Sequence, residues 1–372
     1  MAFLEKLLNK SNSYVYYKEQ FEDLKESQIK LEKENSNLKS ELKKRDKQIE
    51  KLQNQLGSYS KKSIFKKLNN EEYSDLTVCI KTPNPKIERY WGDYFFAIAL
   101  KKSFQRYGFN VFIHEMDDWY DNDVKADINI VLRGLIEYKP TFDEINVMWN
   151  ISHPDMVTPE EYELYDICFI SSEKYAIDLN NKVNTPVKPL LQCTDPDVFY
   201  PSRQDDLAED VLFVGITRGV YRQIVKDVMQ TDFDVSIYGK CWDEYVDEKY
   251  IKGDFIPNSE LYKYYSSCKI LLNDHWEDMR DWDFPSNRLF DALACGTFVI
   301  SDKIPSAETL FEGNIVTYDD ADDLNKKIEY YLTHEEERKE KAQKGREIVL
   351  KNHTFDNRVD TIINSLKDMS KL

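Results

Sequence analysis

A chain of 372 residues with 51 Lys+Arg against 68 Asp+Glu carries a formal charge of −17, and its length predicts two domains with room for an appendage. Apolar residues at 41% and aromatics at 13% supply enough surface for two cores, which argues against wholesale disorder. The acidity excludes a general nucleic-acid coat, since phosphate backbones need local Lys and Arg, and no apolar run approaches the ~20 residues of a bilayer span.

The opening MAFLEKLLNK lacks the apolar stretch of a secretion signal. Six cysteines are scattered singly, with no C-x-x-C pair for zinc or redox work. Reduced thiols in a cytoplasmic protein are the expectation. Phe3, Leu4, Leu7 and Leu8 make the first ten residues a short amphipathic segment, open to peripheral membrane contact or to packing on a neighbouring chain.

The first 62 residues hold 14 Lys+Arg and 10 Asp+Glu, a balance of +4 that leaves −21 on the rest. From Phe21 to Leu56 a seven-residue repeat is readable. Phe21, Gln28, Asn35, Leu42, Ile49 and Leu56 share one seam position, and Leu24, Leu31, Leu38, Arg45 and Leu52 the other. Eight of these eleven are apolar, which predicts a left-handed coiled coil. Asn35 favours a parallel, in-register pairing, while Gln28 and Arg45 weaken the seam. A homodimer or homotrimer through residues 21–56 follows, against the alternative of a lone helix with its stripe on its own body. Gly57-Ser58 predicts the end of that helix, so residues 1–62 read as a stem and 63–75 as a polar connector.

From Leu76 short β-rich runs alternate with helical patterns, as parallel sheets flanked by helices require. Strands are expected at Leu76–Ile80, Val111–Glu115, Ile128–Leu132, Ile145–Trp149, Ile167–Ser171 and Val187–Gln192, with a helix over Asp93–Tyr107. Residues 194–210 are rich in Asp and Pro and read as the interdomain linker. The pattern then restarts at strand Val211–Gly215 and ends in three helical stretches after Ala321. The expected fold is α/β, with Rossmann-like domains at 76–200 and 201–372 and a cleft between the carboxyl ends of their sheets.

The densest chemical signal runs from Trp282 to Ser301. Ser286 suits the N-cap of a helix opening at Asn287, whose unpaired first-turn amides form an anion site. Asp283 precedes that helix and Asp291 lies on it. Carboxylates repel phosphate but bond bidentately to vicinal hydroxyls, so the combination suits a sugar joined to a diphosphate. A capped core helix with one solvated Asp satisfies the same residues.

Asp283 and Asp291, eight positions apart and followed by Ala292-Leu-Ala-Cys-Gly296, resemble the signature of GT-B-fold glycosyltransferases. The resemblance is to the large retaining family 4, in its spore-coat CgeB-like branch, with Asp in place of the usual Glu twice. It covers about residues 76–366. It implies that Asp291 holds the ribose, Asp283 contacts the transferred sugar, and Asn287 and Arg288 lie near the diphosphate. Phe213-Val-Gly-Ile-Thr-Arg-Gly219 and Ile237-Tyr-Gly-Lys-Cys-Trp242 resemble the branch's nucleotide-domain loops, which aims Arg218, Arg222 and Lys240 at the diphosphate. In the first domain Trp149-Asn-Ile-Ser-His-Pro-Asp155 is similar to the branch, making His153 the candidate for orienting sugar or acceptor. Gly92-Asp93 resembles the loop that approaches donor or acceptor. The implied partners are a nucleotide-sugar donor and a glycan or glycoconjugate acceptor, with no cofactor and no metal.

Asp281-Trp-Asp283 and Asp195-Pro-Asp197 also fit the D-x-D pattern that holds a metal across a sugar diphosphate, a weak signal among 68 acidic residues. A sugar-nucleotide epimerase on the same fold, and a non-catalytic coiled-coil assembly protein with a degenerate transferase body, are the competing functions. G-x-S-x-G, P-loop, G-x-G-x-x-G and HExxH motifs are absent.

Overall fold

The computed structural model describes residues 2–121, 123–231 and 233–371, with side chains from Leu24 onward except residues 26 and 50–59. The chain divides into two compact units, 1–59 and 60–372.

The first unit is helical. Helix α1 (Ala2–Asn69) carries Leu24, Leu31, Leu38, Leu42 and Ile49 exposed at 53–67%, so the predicted seam is an apolar stripe with no cover among the described residues. The side chains of Phe21, Leu52 and Leu56, and those of the amphipathic segment Phe3 to Leu8, lie outside the described residues.

In the second unit the connector predicted at 63–75 is helical as far as Asn69. Ile64 and Leu68 are buried in the core of the first sheet, and Lys61 Nζ pairs with Asp166 at 2.7 Å. Burying two large apolar side chains outweighs the ~1 kcal/mol that a helical glycine costs, so Gly57 does not stop the helix.

The first sheet contains β1 (Thr77–Lys81), β2 (Asn110–His114), β3 (Ile128–Arg133), β4 (Ile145–Asn150), β5 (Ile167–Ile170) and β6 (Val187–Pro189), in the order β2-β1-β3-β4-β5-β6. Its helices are α2 (Gly92–Arg106), α3 (Pro159–Tyr162) and α4 (Glu173–Asn180). The second sheet contains β7 (Glu209–Val214), β8 (Val235–Tyr238), β9 (Ile251–Gly253), β10 (Cys268–Asn273), β11 (Val299–Asp302) and β12 (Val316–Tyr318), in the order β12-β11-β10-β7-β8-β9. Around it lie α5 (Gln223–Val228), α6 (Asn258–Ser267), α7 (Glu277–Asp281), α8 (Asn287–Ala294), α9 (Pro305–Leu310), α10 (Ala321–Thr333) and α11 (Glu335–Asn352). All pairings are parallel. Ile128–Arg133 and Ile145–Asn150 are buried at every position, as strands covered on both faces must be.

Two crossings tie the domains together and neither follows from the sequence pattern. The last helix, α12 (Phe355–Met369), leaves the second domain and buries Phe355, Val359, Ile362 and Leu366 in the first core, beside Phe96 and Leu100. The predicted boundary at 201–372 therefore does not hold for this helix. Its apolar face matches the first sheet's outer layer, and Arg358 donates to the carbonyls of Leu191 and Gln192. The second crossing is the strap 276–284, whose Met279 and Phe284 are buried in the first domain's other core with Tyr162 and Tyr175. Among the described residues no helix is long and apolar enough to cross a membrane.

Candidate active site

Strand order reverses at β1/β3 in the first sheet and at β7/β10 in the second. Loops leaving such switch points diverge to opposite faces and open a crevice at the carboxyl ends. The residues of interest lie on those loops.

In the first domain Gly92 opens α2, and Asp93 sits in its first turn with its carboxyl pushed up to about 6 by burial. A Cβ on Gly134 would fall 3.2 Å from Ser152 Oγ and 3.9 Å from Asp93 Oδ1, so the loops after β1, β3 and β4 converge there. His153 follows in a left-handed conformation, φ 51°, with Nδ1 2.9 Å from Ser152 Oγ. Burial lowers its pKa, which favours the neutral ring at pH 7.

In the second domain the guanidinium groups of Arg222 and Arg288 flank the backbone at Gly215. Arg222 Nη1 donates to Ile216 O at 3.0 Å, and Arg288 Nη2 to Val214 O at 2.7 Å. Arg222 is buried and held by both oxygens of Asp274, so this cation, predicted to face the diphosphate, is neutralised inside the protein. Arg288 also donates to Asn273 Oδ1 at 3.0 Å, and its Nε is buried without a partner among the described residues. Arg218, φ 63°, lies with its guanidinium carbon 4.2 Å from the centroid of the Trp276 ring. Burial first, then the charge of Arg288, lowers its pKa to about 10. Neither Arg218 nor Arg288 has a carboxylate within ion-pair distance among the described residues. Lys240 is exposed, and its carbonyl accepts from Thr217 N at 3.4 Å.

The two glycine loops need their glycines. A Cβ on Gly239 would lie 2.1 Å from Gly215 O, and that oxygen accepts from Trp242 Nε1 at 2.7 Å. Only a residue without a side chain lets these backbones cross.

Helix α8 starts where predicted, but Ser286 does not cap it with its side chain. Its hydroxyl donates to Asn273 Oδ1 at 2.9 Å, and its N–H donates to His275 Nε2 at 3.0 Å. His275 is buried, with Nδ1 2.6 Å from Asp302 Oδ1, so the tautomer carrying the Nδ1 proton fits both partners. No motif pointed to His275, Asp302 or Trp276. Their only signal is position, His275 and Trp276 just after β10 and Asp302 the last residue of β11.

The acidic pair turns inward. Asp283, φ 61°, accepts from Ser306 N at 2.9 Å and Ser306 Oγ at 2.7 Å, which caps α9. Asp291 accepts from Thr194 Oγ1 and Asn287 Nδ2, both at 2.7 Å. Burial pushes its carboxyl up to about 8 from an ordinary 3.8. Between these values the folded chain holds a proton that the unfolded chain has released, so stability falls as pH rises from about 4 to about 8. Asp291→Asn lacks that slope, and its melting temperature relative to wild type should rise between pH 5 and pH 8.5. A difference constant with pH would refute the buried, protonated Asp291. Of the D-x-D candidates, Asp195 Oδ1 accepts from Asp197 N at 3.1 Å within its own turn, and the backbone carbonyl of Asp281 accepts from Lys174 Nζ at 2.7 Å.

A cavity of about 780 Å³ lies at the carboxyl edge of the second sheet, lined by Arg218, Arg222, Asp274, His275, Trp276 and Tyr318 among others. Arg288, Asp291 and Asp283 stand outside its lining. Among the described residues no group of three or more His, Cys, Asp or Glu is placed to hold a metal ion.

The fold with these two six-stranded parallel sheets is similar to solved structures. Sucrose-phosphate synthase from Thermosynechococcus elongatus superposes with a TM-score of 0.59 at 12% identity, over 79% of this chain and 99% of that one. Anabaena HepE, solved in complex with UDP-glucose, gives 0.56 at 10% identity, over 79% of this chain and 100% of that one. The architecture is GT-B. Within it, residues 218–364 match the family model described as glycosyl transferase-like. Spore protein CgeB of Bacillus subtilis is 26% identical over 167 residues, covering 40% of this chain and 50% of CgeB. The chain thus matches about half the length of that relative. The GT-B second domain, with Arg218, Arg288 and α8, is the part that matches the family.

Proposed function

We propose that this chain is a glycosyltransferase that moves a sugar from a nucleotide-diphosphate donor to a hydroxyl of a glycan or glycoconjugate. One observation carries the reading. Arg218 and Arg288, two guanidinium groups without a carboxylate partner among the described residues, meet beside the Gly215 loop and the start of α8, on the cleft side that faces His153. The charge of Arg288 lowers the pKa of Arg218, a diphosphate beside them relieves that repulsion, and the helix end adds its positive dipole.

In the reaction the anomeric carbon–oxygen bond to the diphosphate breaks and a bond to the acceptor oxygen forms. The acceptor's proton passes to the departing phosphate, a route that keeps the anomeric configuration without a protein nucleophile. The side chains position and neutralise charge: Arg218 and Arg288 the leaving group, His153 and Asp93 the sugar or acceptor. We assign no metal to this chemistry, because the arginines supply the positive charge. The setting we assign is cytoplasmic synthesis of a surface polysaccharide or glycoconjugate.

The test is a panel of UDP-, GDP- and ADP-sugars offered to the purified protein, with UDP-glucose first because HepE binds it. Stabilisation by one nucleotide series, release of that nucleotide, and activity surviving EDTA are expected. Binding without turnover would favour the non-catalytic assembly protein, and no binding by any nucleotide refutes the site.

The stripe on α1 we assign to a second copy of the chain. Glu34 and Lys39 fall at facing flank positions of a parallel pair, which adds an attraction across the seam. Sedimentation of the full chain should give a dimer or trimer. The Leu31→Glu, Leu38→Glu double variant should be a monomer with unchanged melting of the body, and a monomeric wild type overturns the assignment.

A further inference from the structure

We infer that Trp276 is a positioning residue for Arg218, and that it makes diphosphate capture in the second domain conditional on the docking of the first. The inference rests on the reading of Arg218 and Arg288 as the diphosphate pair.

Trp276 stands between the domains. Arg218 lies over its ring at 4.2 Å, and the His153 ring from the first domain is 5.4 Å from it. The Arg218 side chain makes no hydrogen bond or ion pair with a described residue, and its backbone is in the left-handed region that side chains seldom adopt. Stacking on the indole is therefore the contact that fixes the direction of this guanidinium. Planar, weakly hydrated Arg stacks on an aromatic face far better than Lys does.

Trp276 is held from both sides: His275 before it is pinned in the second domain by Asp302 and Ser286, and the segment after it is docked in the first. The strap that begins at Trp276 buries Met279 and Phe284 in the first domain's core, and Phe284 meets the Tyr175 ring at 5.8 Å. Two hydrogen bonds clamp it: Ser172 Oγ donates to Trp282 O at 2.6 Å, and Lys174 Nζ to Asp281 O at 2.7 Å. Arg218 rides on the loop after β7, in the second domain. The indole is thus the joint through which the first domain's position reaches a phosphate-binding cation. Arg288 is held by Val214 O and Asn273 Oδ1, both in its own domain, and does not depend on this joint.

The probes are inorganic pyrophosphate, which carries no base, and UDP, GDP and ADP, titrated into the full chain by calorimetry. Trp276→Leu should weaken pyrophosphate binding about tenfold, the scale of a desolvated cation–π contact. Trp276→Phe, which restores a ring face, should recover most of the loss. In an Arg218→Gln background Trp276→Leu should have no further effect, whereas in an Arg288→Lys background its effect should persist in full. A purely structural role for Trp276 would weaken binding equally in both backgrounds, and that result overturns the inference. So does unchanged affinity in Trp276→Leu. Trp276 is 38% exposed, so Trp276→Gln serves the same comparison should the leucine variant not fold. A wild type that binds neither pyrophosphate nor any of the nucleotides sinks the diphosphate reading itself. A wild type that binds, with affinity insensitive to Trp276, sinks this inference alone.

Discussion

Arg288→Ala should lower kcat/KM for sugar transfer by about 10²–10³-fold, the usual effect of removing one preorganised donor from a developing anion. Arg288 supplies charge where the leaving diphosphate gains it, and its Nε is buried with no partner among the described residues. The substitution also removes hydrogen bonds to Val214 O and to Asn273 Oδ1, which keeps its bond from Ser286 Oγ; at about 1 kcal/mol each, a modest fall in melting temperature accompanies their loss. Arg288→Lys separates the two effects. It returns the charge as a point donor that cannot hold two acceptors at once, and should recover part of the rate. Wild-type kinetics for Arg288→Ala, measured on any sugar nucleotide that the enzyme turns over, would remove Arg288 from the site.

Phe284→Ala should cost about 3–5 kcal/mol, a large share of the roughly 5–15 kcal/mol that holds a domain folded. Phe284 is fully buried, and it is buried in the first domain although its chain belongs to the second. Its loss acts on the interdomain joint, next to Asp283 and the start of α8. Melting should fall by on the order of 10 °C. Hydrogen exchange should rise across 276–286 while α12, packed on the opposite face of the first sheet, stays protected. A fall of less than 2 °C, with exchange unchanged in the strap, would mean that this docking contributes little.

Much of the fold was legible because its causes are local. Parallel strands covered on both faces must be apolar throughout, and Ile128–Arg133 and Ile145–Asn150 show it in the sequence. The crossing of Gly215 and Gly239 leaves two glycines at strand ends. Asp283, Asp291 and Arg288 stood out because they cluster around one helix start. Their partners did not, since Thr194, Ser306 and Val214 come from distant segments whose approach no spacing encodes.

Charge was the least legible property. Residue type marked Arg218, Arg222, Lys240 and Arg288 alike as cations for a diphosphate. Burial and pairing separated them: Asp274 holds Arg222, Lys240 remains at the surface, and Arg218 and Arg288 have no carboxylate partner among the described residues.

The amino-acid pattern by itself determined two α/β halves, a heptad-bearing helix and a sugar–diphosphate signature at one helix start, because periodicity, glycine and helix-end chemistry act within a few residues. Only the tertiary structure decided that α12 and the strap 276–284 belong to the first core, that the acidic pair faces inward, and which arginines stay unpaired. Those outcomes depend on which surfaces bury each other, and burial is a property of the assembled chain.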